Sequence, residues 1–89
     1  MPHVKIPPPY QGPTQGRAQI DVSGATVQEC LESVCARFIG FRELVFDGSG
    51  ELHKFVKLFV NGVEVSRGAL ATGVGESDEV EILAAIAGG

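Results

Sequence analysis

The segment from Thr26 to Phe38 constrains the fold more than any other part of the chain. Thr26 precedes Glu29 at the spacing of a capping box, in which a hydroxyl and a carboxylate satisfy backbone groups at a helix start. Val27, Cys30, Leu31, Val34, Cys35 and Phe38 then recur at the steps of one helix face. This predicts an amphipathic helix over about 27–39, stopped by Gly40. Such a stripe has to be covered, and a chain of 89 residues holds one core and no second. The flanking segments must therefore supply the opposing layer.

Both flanks read as strands. Val4 and Ile6 alternate with His3 and Lys5 until Pro7-Pro8-Pro9 ends the pattern, which predicts a strand over about 3–7. Pro8 to Gly16 has a loop composition, and Ala18, Ile20 and Val22 then alternate with polar neighbours, a second strand over about 17–22 closing a long hairpin. Beyond the helix, residues 40–53 mix Phe41, Leu44, Val45 and Phe46 with Asp47-Gly48-Ser49-Gly50, which predicts an irregular connection with a few apolar anchors. Phe55 to Val60 is rich in β-branched and aromatic residues, Asn61-Gly62 is a two-residue hairpin signal, and Val63 and Val65 resume the strand pattern. Gly73 to Glu79 reads as a turn, Val80 to Ala85 as a last strand and Ile86 to Gly89 as a tail. No internal repeat is visible. The order predicts an α+β chain of the β-grasp or ubiquitin-like type: a mixed sheet of four to five strands with one main helix across it. The first and last strands are expected to pair in parallel at the centre, since a capped helix provides the long crossover that parallel neighbours need. The expected organisation is one domain over 1–85 and a flexible tail over 86–89.

Composition removes several classes of function. A formal charge of -4, a pI near 5.0 and only seven Lys and Arg leave no basic face for nucleic acid. No apolar run approaches the roughly 20 residues of a membrane span, and no charged start leads into an apolar signal core, so a cytoplasmic location is expected. Cys30 and Cys35 lie about 140° apart around a helix, which disfavours a mutual disulfide and predicts two buried free thiols. They also fall short of the four Cys of a ferredoxin cluster. His3 and His53 have no second ligand at metal spacing and are expected at the surface. No acid, base or nucleophile pair stands at catalytic spacing, so the chain is expected to be no enzyme and to bind no cofactor of its own. Pro7-Pro8-Pro9-Tyr10 matches a proline-rich ligand, although a strand-ending loop accounts for it without a partner.

Three stretches, Phe59-Val60-Asn61-Gly62, Glu76-Ser77-Asp78-Glu79-Val80 and Ala85-Ile86-Ala87-Gly88-Gly89, resemble the MoaD/ThiS family of ubiquitin-like sulfur carriers. The likeness covers most of the chain. The long loop around Pro7 to Gly16 and the segment Leu52-His53-Lys54-Phe55-Val56 look most like the CysO-like branch, which serves cysteine biosynthesis. The resemblance implies that an E1-like, ATP-dependent enzyme adenylates the C-terminal carboxylate of Gly89, and that sulfide or a persulfide-bearing sulfurtransferase converts the adenylate to a thiocarboxylate. A sulfur-accepting synthase would then take the sulfur. Physical chemistry agrees: a carboxylate accepts a nucleophile poorly until one oxygen becomes a good leaving group, as transfer to AMP achieves. The tail of Ile86, Ala87, Gly88 and Gly89 would reach roughly 13 Å, and its two Gly keep it thin enough for a narrow channel.

Two alternatives share much of this pattern. One is the small subunit of molybdopterin synthase, which forms a stable complex with a larger subunit. The other is a ubiquitin-like modifier, which ends as an isopeptide on a target Lys. A plain β-grasp interaction module would need no free Gly-Gly end. By strand parity, Phe55, Lys57 and Phe59 share one face of the third strand, and Glu81 and Leu83 share one face of the last. Parity thus predicts that Phe59 and Leu83 are more exposed than their type suggests, and the resemblance to ubiquitin-like proteins implies that Phe59, Leu83, Glu81 and Lys57 form a partner-binding patch.

Overall fold

The helix begins where its capping residues place it. The computed structural model describes residues 1–84, and in it α1 spans Val27–Arg37. Thr26 is extended and its Oγ1 accepts the Glu29 N–H at 3.1 Å. Glu29 Oε1 accepts the Ala25 N–H at 2.8 Å, one residue further back than the usual reciprocal bond. Thr26→Ala is expected to cost about 1 kcal/mol, read as a lowered denaturation midpoint at unchanged slope. The helix ends earlier than Gly40 predicts. Phe38 leaves in extended geometry at φ -127°, and Gly40, at φ +95°, redirects the chain into a second helix.

That second helix, α2 over Phe41–Val45, corrects the expectation of an irregular connection across 40–53. Phe41 and Val45 are fully buried, and Phe46 and Leu52 pair across an isolated bridge and are also buried. Between them the Asp47 carboxylate accepts the Ser49 hydroxyl at 2.7 Å and then the N–H groups of Ser49 and Glu51 at 2.9 and 3.1 Å, which together hold its carboxyl below the usual range. A helix of five residues is too short for a 3.6-residue period to show in sequence.

The sheet has the strands β1 His3–Lys5, β2 Gln19–Asp21, β3 Val56–Val60, β4 Val63–Val65 and β5 Glu79–Ala84, in the order β2-β1-β5-β3-β4. β1 and β5 are parallel at the centre, with Val4 opposite Val80, and the other pairs are antiparallel. This is the β-grasp arrangement. The first hairpin is shorter than predicted because Pro7 has no N–H to donate; the last bond before it is Ile6 N–H to Ala18 O at 2.8 Å. Pro8–Tyr10 forms a 3-10 turn, not the polyproline helix that a proline-rich ligand presents. The loop closes on Thr14, whose buried hydroxyl lies 2.9 Å from Arg17 O and 3.3 Å from Gln11 O. Asn61 and Gly62, at φ 50° and 83°, give the turn its primed geometry between Val60 and Val63.

Val4, Ile6, Ile20, Val22, Val56, Leu58, Val80 and Ile82 face α1 and bury Val27, Cys30, Leu31 and Val34 with them. Cys30 is the buried thiol expected. Cys35 is not: it lies at the stripe's margin, half-buried, and both thiols are free. Burial pushes both thiols up, so neither gains the thiolate character of a reactive cysteine. No helix among the described residues is long and apolar enough to cross a membrane.

Candidate functional site

The face of the sheet turned away from α1 carries the residues that the sequence marks for recognition, and strand register decides which of them meet. Phe59 on β3 lies opposite Glu81 on β5, and Lys57 lies opposite Leu83. The four residues predicted from parity therefore form one block across two adjacent strands. On β1, Lys5 extends the block beside Glu81; on β4, Glu64 extends it beside Phe59 and reaches Lys57 Nζ at 3.7 Å. Exposed pairs at such distances are worth little to stability.

Exposure within the block is uneven. Leu83 is 39% exposed, as predicted for a partner-facing residue. Phe59 corrects the prediction of an exposed ring, since it is half-buried; it occupies an inner strand with Glu81 and Glu64 on either side. Phe55, 40% exposed, extends the apolar surface at the entry to β3, where Lys54 Nζ lies 5.0 Å above its ring.

Sequence reasoning missed the groove beside β5. Pro7 and Pro8 leave the sheet as soon as β1 ends, and between them and Glu81, Ile82 and Leu83 lies a shallow, mostly apolar groove of about 190 Å³. The signal was present in the proline run, which sequence alone interprets as nothing more than a strand breaker. The groove and the Phe59–Leu83 block lie on two sides of the closing residues of β5. Gly89, Gly88, Ala87 and Ile86, the predicted tail, lie outside the described residues.

The opposite end of the sheet is acidic and structural. Asn61 Nδ2 donates to Asp78 Oδ1 at 2.9 Å, and Asn61 Oδ1 accepts the Glu79 N–H at 2.9 Å, which ties the β3–β4 turn to the start of β5. The Gly75 N–H and then the Asn61 amide hold the Asp78 carboxyl below its ordinary range. His3 lies 3.3 Å from Glu79, and His53 Nε2 lies 2.9 Å from Glu43 O; both rings are half-buried, where the sequence predicted simple surface positions. Among the described residues, no group of three or more His, Cys, Asp or Glu could hold a metal ion.

Comparison with known proteins bears on this arrangement. The ThiS family model matches residues 9–89. The chain is 37% identical over 89 residues to the sulfur carrier protein CysO of Mycobacterium tuberculosis, covering 97% of this chain and 96% of that protein. The crystal structure of Mycobacterium tuberculosis CysO superposes with a TM-score of 0.86 at 34% identity, over 97% of this chain and 100% of that one. A crystal structure of the Amycolatopsis orientalis BexX/CysO complex contains a chain that superposes with a TM-score of 0.84 at 35% identity, over the whole of both chains.

Proposed function

This chain belongs to the ThiS family, and from that premise we propose that it is a CysO-like sulfur carrier, a non-catalytic protein whose C-terminal carboxylate on Gly89 is the acceptor and donor of sulfur. In the first step the carboxylate attacks the α-phosphate of ATP on an E1-like enzyme, forming the acyl-adenylate and releasing pyrophosphate. In the second, a sulfide or persulfide sulfur attacks the acyl carbon, AMP leaves, and a thiocarboxylate remains; a persulfide donor needs a thiol reductant to complete the release. A biosynthetic synthase of the cysteine-forming type then takes the sulfur.

The observation that carries this reading is the register that gathers Phe59, Lys57, Glu81 and Leu83 into one block beside the end of β5. The described part of β5 reaches Ala84, five residues before Gly89 in the sequence, so a partner that holds this block by its apolar centre has the C-terminus within a short length of chain. The thin tail can then enter an active site that supplies all of the chemistry. The full-length likeness to CysO supports the sulfur-carrier assignment over the two alternatives.

The test is incubation with candidate adenylating enzymes, ATP and a sulfur source, followed by mass spectrometry of the C-terminal fragment. One oxygen exchanged for sulfur on Gly89 is the expected product. Sulfur on Cys30 or Cys35, or an isopeptide to lysine as the end state, would reject the mechanism. Phe59→Glu is expected to lower activation at least about tenfold through loss of the apolar contact, with the folded circular-dichroism spectrum kept and the melt lowered, because the new carboxylate stands between Glu81 and Glu64. Normal activation of a folded Phe59→Glu chain would remove the block from the docking surface.

A further inference from the structure

The chain is acidic as a whole, but its charges are not evenly placed. Beside the closing residues of β5 stands Lys57, opposite Leu83; Lys5, opposite Glu81, instead carries its Nζ to 3.7 Å from Glu79. Arg17 precedes Ala18, whose carbonyl makes the last bond of the first hairpin. Lys54 lies two residues before Val56, which pairs with Ala84. Arg67 Nη1 donates to Val56 O at 3.3 Å and its Nη2 donates to Leu52 O. Four of the seven cations, Arg17, Lys54, Lys57 and Arg67, thus gather at one end of the sheet, with Glu51, Glu64 and Glu81 as the carboxylates near them. The rest of the molecule holds three cations and eight carboxylates.

Within this end, Lys54, Lys57 and Arg67 line a single notch of about 110 Å³ with one carboxylate, Glu64, and an apolar floor that includes Leu58 and Val65. Lys57 already lies 3.7 Å from Glu64. Arg17, Lys54 and Arg67 form no ion pair among the described residues. Arg67 is held in place by two backbone carbonyls and has further N–H groups to offer. A fixed guanidinium beside two ammonium groups is suited to a carboxylate on an approaching surface, because little ordering remains to be done on contact.

We propose that this end of the sheet is a cationic docking pole, formed by Arg17, Lys54, Lys57 and Arg67, which receives an acidic protein surface around the entrance through which the C-terminus is taken up. The proposal rests on the reading that Gly89 is activated by a separate adenylating enzyme. Its physical logic is orientation. A chain of net charge -4 is repelled by an acidic partner at long range unless it presents its positive end. The pole therefore turns the C-terminal end of β5 toward the partner and the acidic Asp78–Glu79 end away. Such steering acts on the encounter rate and is screened by salt.

Two measurements on the full chain test it. Titration with a hexaglutamate peptide, followed by amide shifts, is expected to move Arg17, Lys54, Lys57 and Arg67 and to leave Asp78 and Glu79 still. Shifts spread evenly over the surface, or inorganic phosphate acting at the same concentration as the peptide, would overturn an acidic protein surface as the occupant. In the activation assay, the doubly reversed variant Arg17→Glu with Lys54→Glu is expected to raise KM about tenfold at unchanged kcat and to flatten its salt dependence. Arg17→Lys with Lys54→Arg should retain both. An unchanged KM and salt slope in the reversed variant would overturn the pole. Should no adenylating enzyme act on the unaltered chain, the sulfur-carrier reading fails, and the peptide titration still decides the pole.

Discussion

A chain extended by one residue beyond Gly89 is expected to form no thiocarboxylate at all, and Gly89→Val is expected to lose at least about 100-fold in the rate of its formation. The first result follows from bonding. Adenylation needs a free terminal carboxylate at the position the active site holds, and one added residue converts Gly89 to an amide and pushes the new carboxylate past the reacting phosphate. The second follows from shape, since a branched Cβ widens the thread where the acyl carbon must align with its attacker, and a displacement of an ångström there is costly. Gly88→Val should lose nearly as much. Mass spectrometry of the C-terminal fragment after a single incubation with enzyme, ATP and sulfur donor measures all three variants together with the unaltered chain. Each variant should keep the unaltered melting temperature, because the described core is complete within residues 4–82. An extended chain that still transfers sulfur, with its extension intact, would overturn Gly89 as the acceptor.

The largest effect on stability is expected from Phe41→Ala. Phe41 is the bulkiest side chain that is fully buried, and it belongs to α2, the helix that the sequence concealed. Truncating a core Phe costs about 3–5 kcal/mol, a large share of the stability of a domain this size. At roughly 4–8 °C per kcal/mol, the melting temperature should fall by roughly 12 °C or more. Phe41→Leu should cost less than about 1.5 kcal/mol, since it keeps most of the buried volume. A Phe41→Ala chain that melts within about 4 °C of the unaltered one would show that α2 is a surface appendage.

These two experiments probe two different kinds of sequence signal. The tail is expected from a Gly-Gly after a final strand, a one-dimensional signal, and it lies outside the described residues. The segment 40–53 was not legible, because Phe41, Val45, Phe46 and Leu52 reach the core from a five-residue helix and a bridged loop whose spacing follows no single period. The first hairpin was legible in part. Alternation predicted β1 and β2, but Pro7 and Thr14 set where pairing stops, through a missing N–H and a buried hydroxyl.

What the sequence determined by itself was everything local or periodic: the capped helix at Thr26, the Asn61-Gly62 turn, the inward parity of Val80 and Ile82, and the fold class that these elements imply. A cap, a turn and an alternating face are decided by residues within a few positions of one another, so their energetics are written in short stretches of chain. What only the tertiary structure decided was register and neighbourhood. That Phe59 meets Glu81 while Lys57 meets Leu83, that Phe59 is half-buried, and that Arg67 stands with Lys54 at the end of β5 all depend on pairing across more than ten residues of chain. Such pairing is fixed by the whole core settling around Phe41, Leu31 and Leu58, because a slip of one residue would turn every buried side chain of a strand to the solvent.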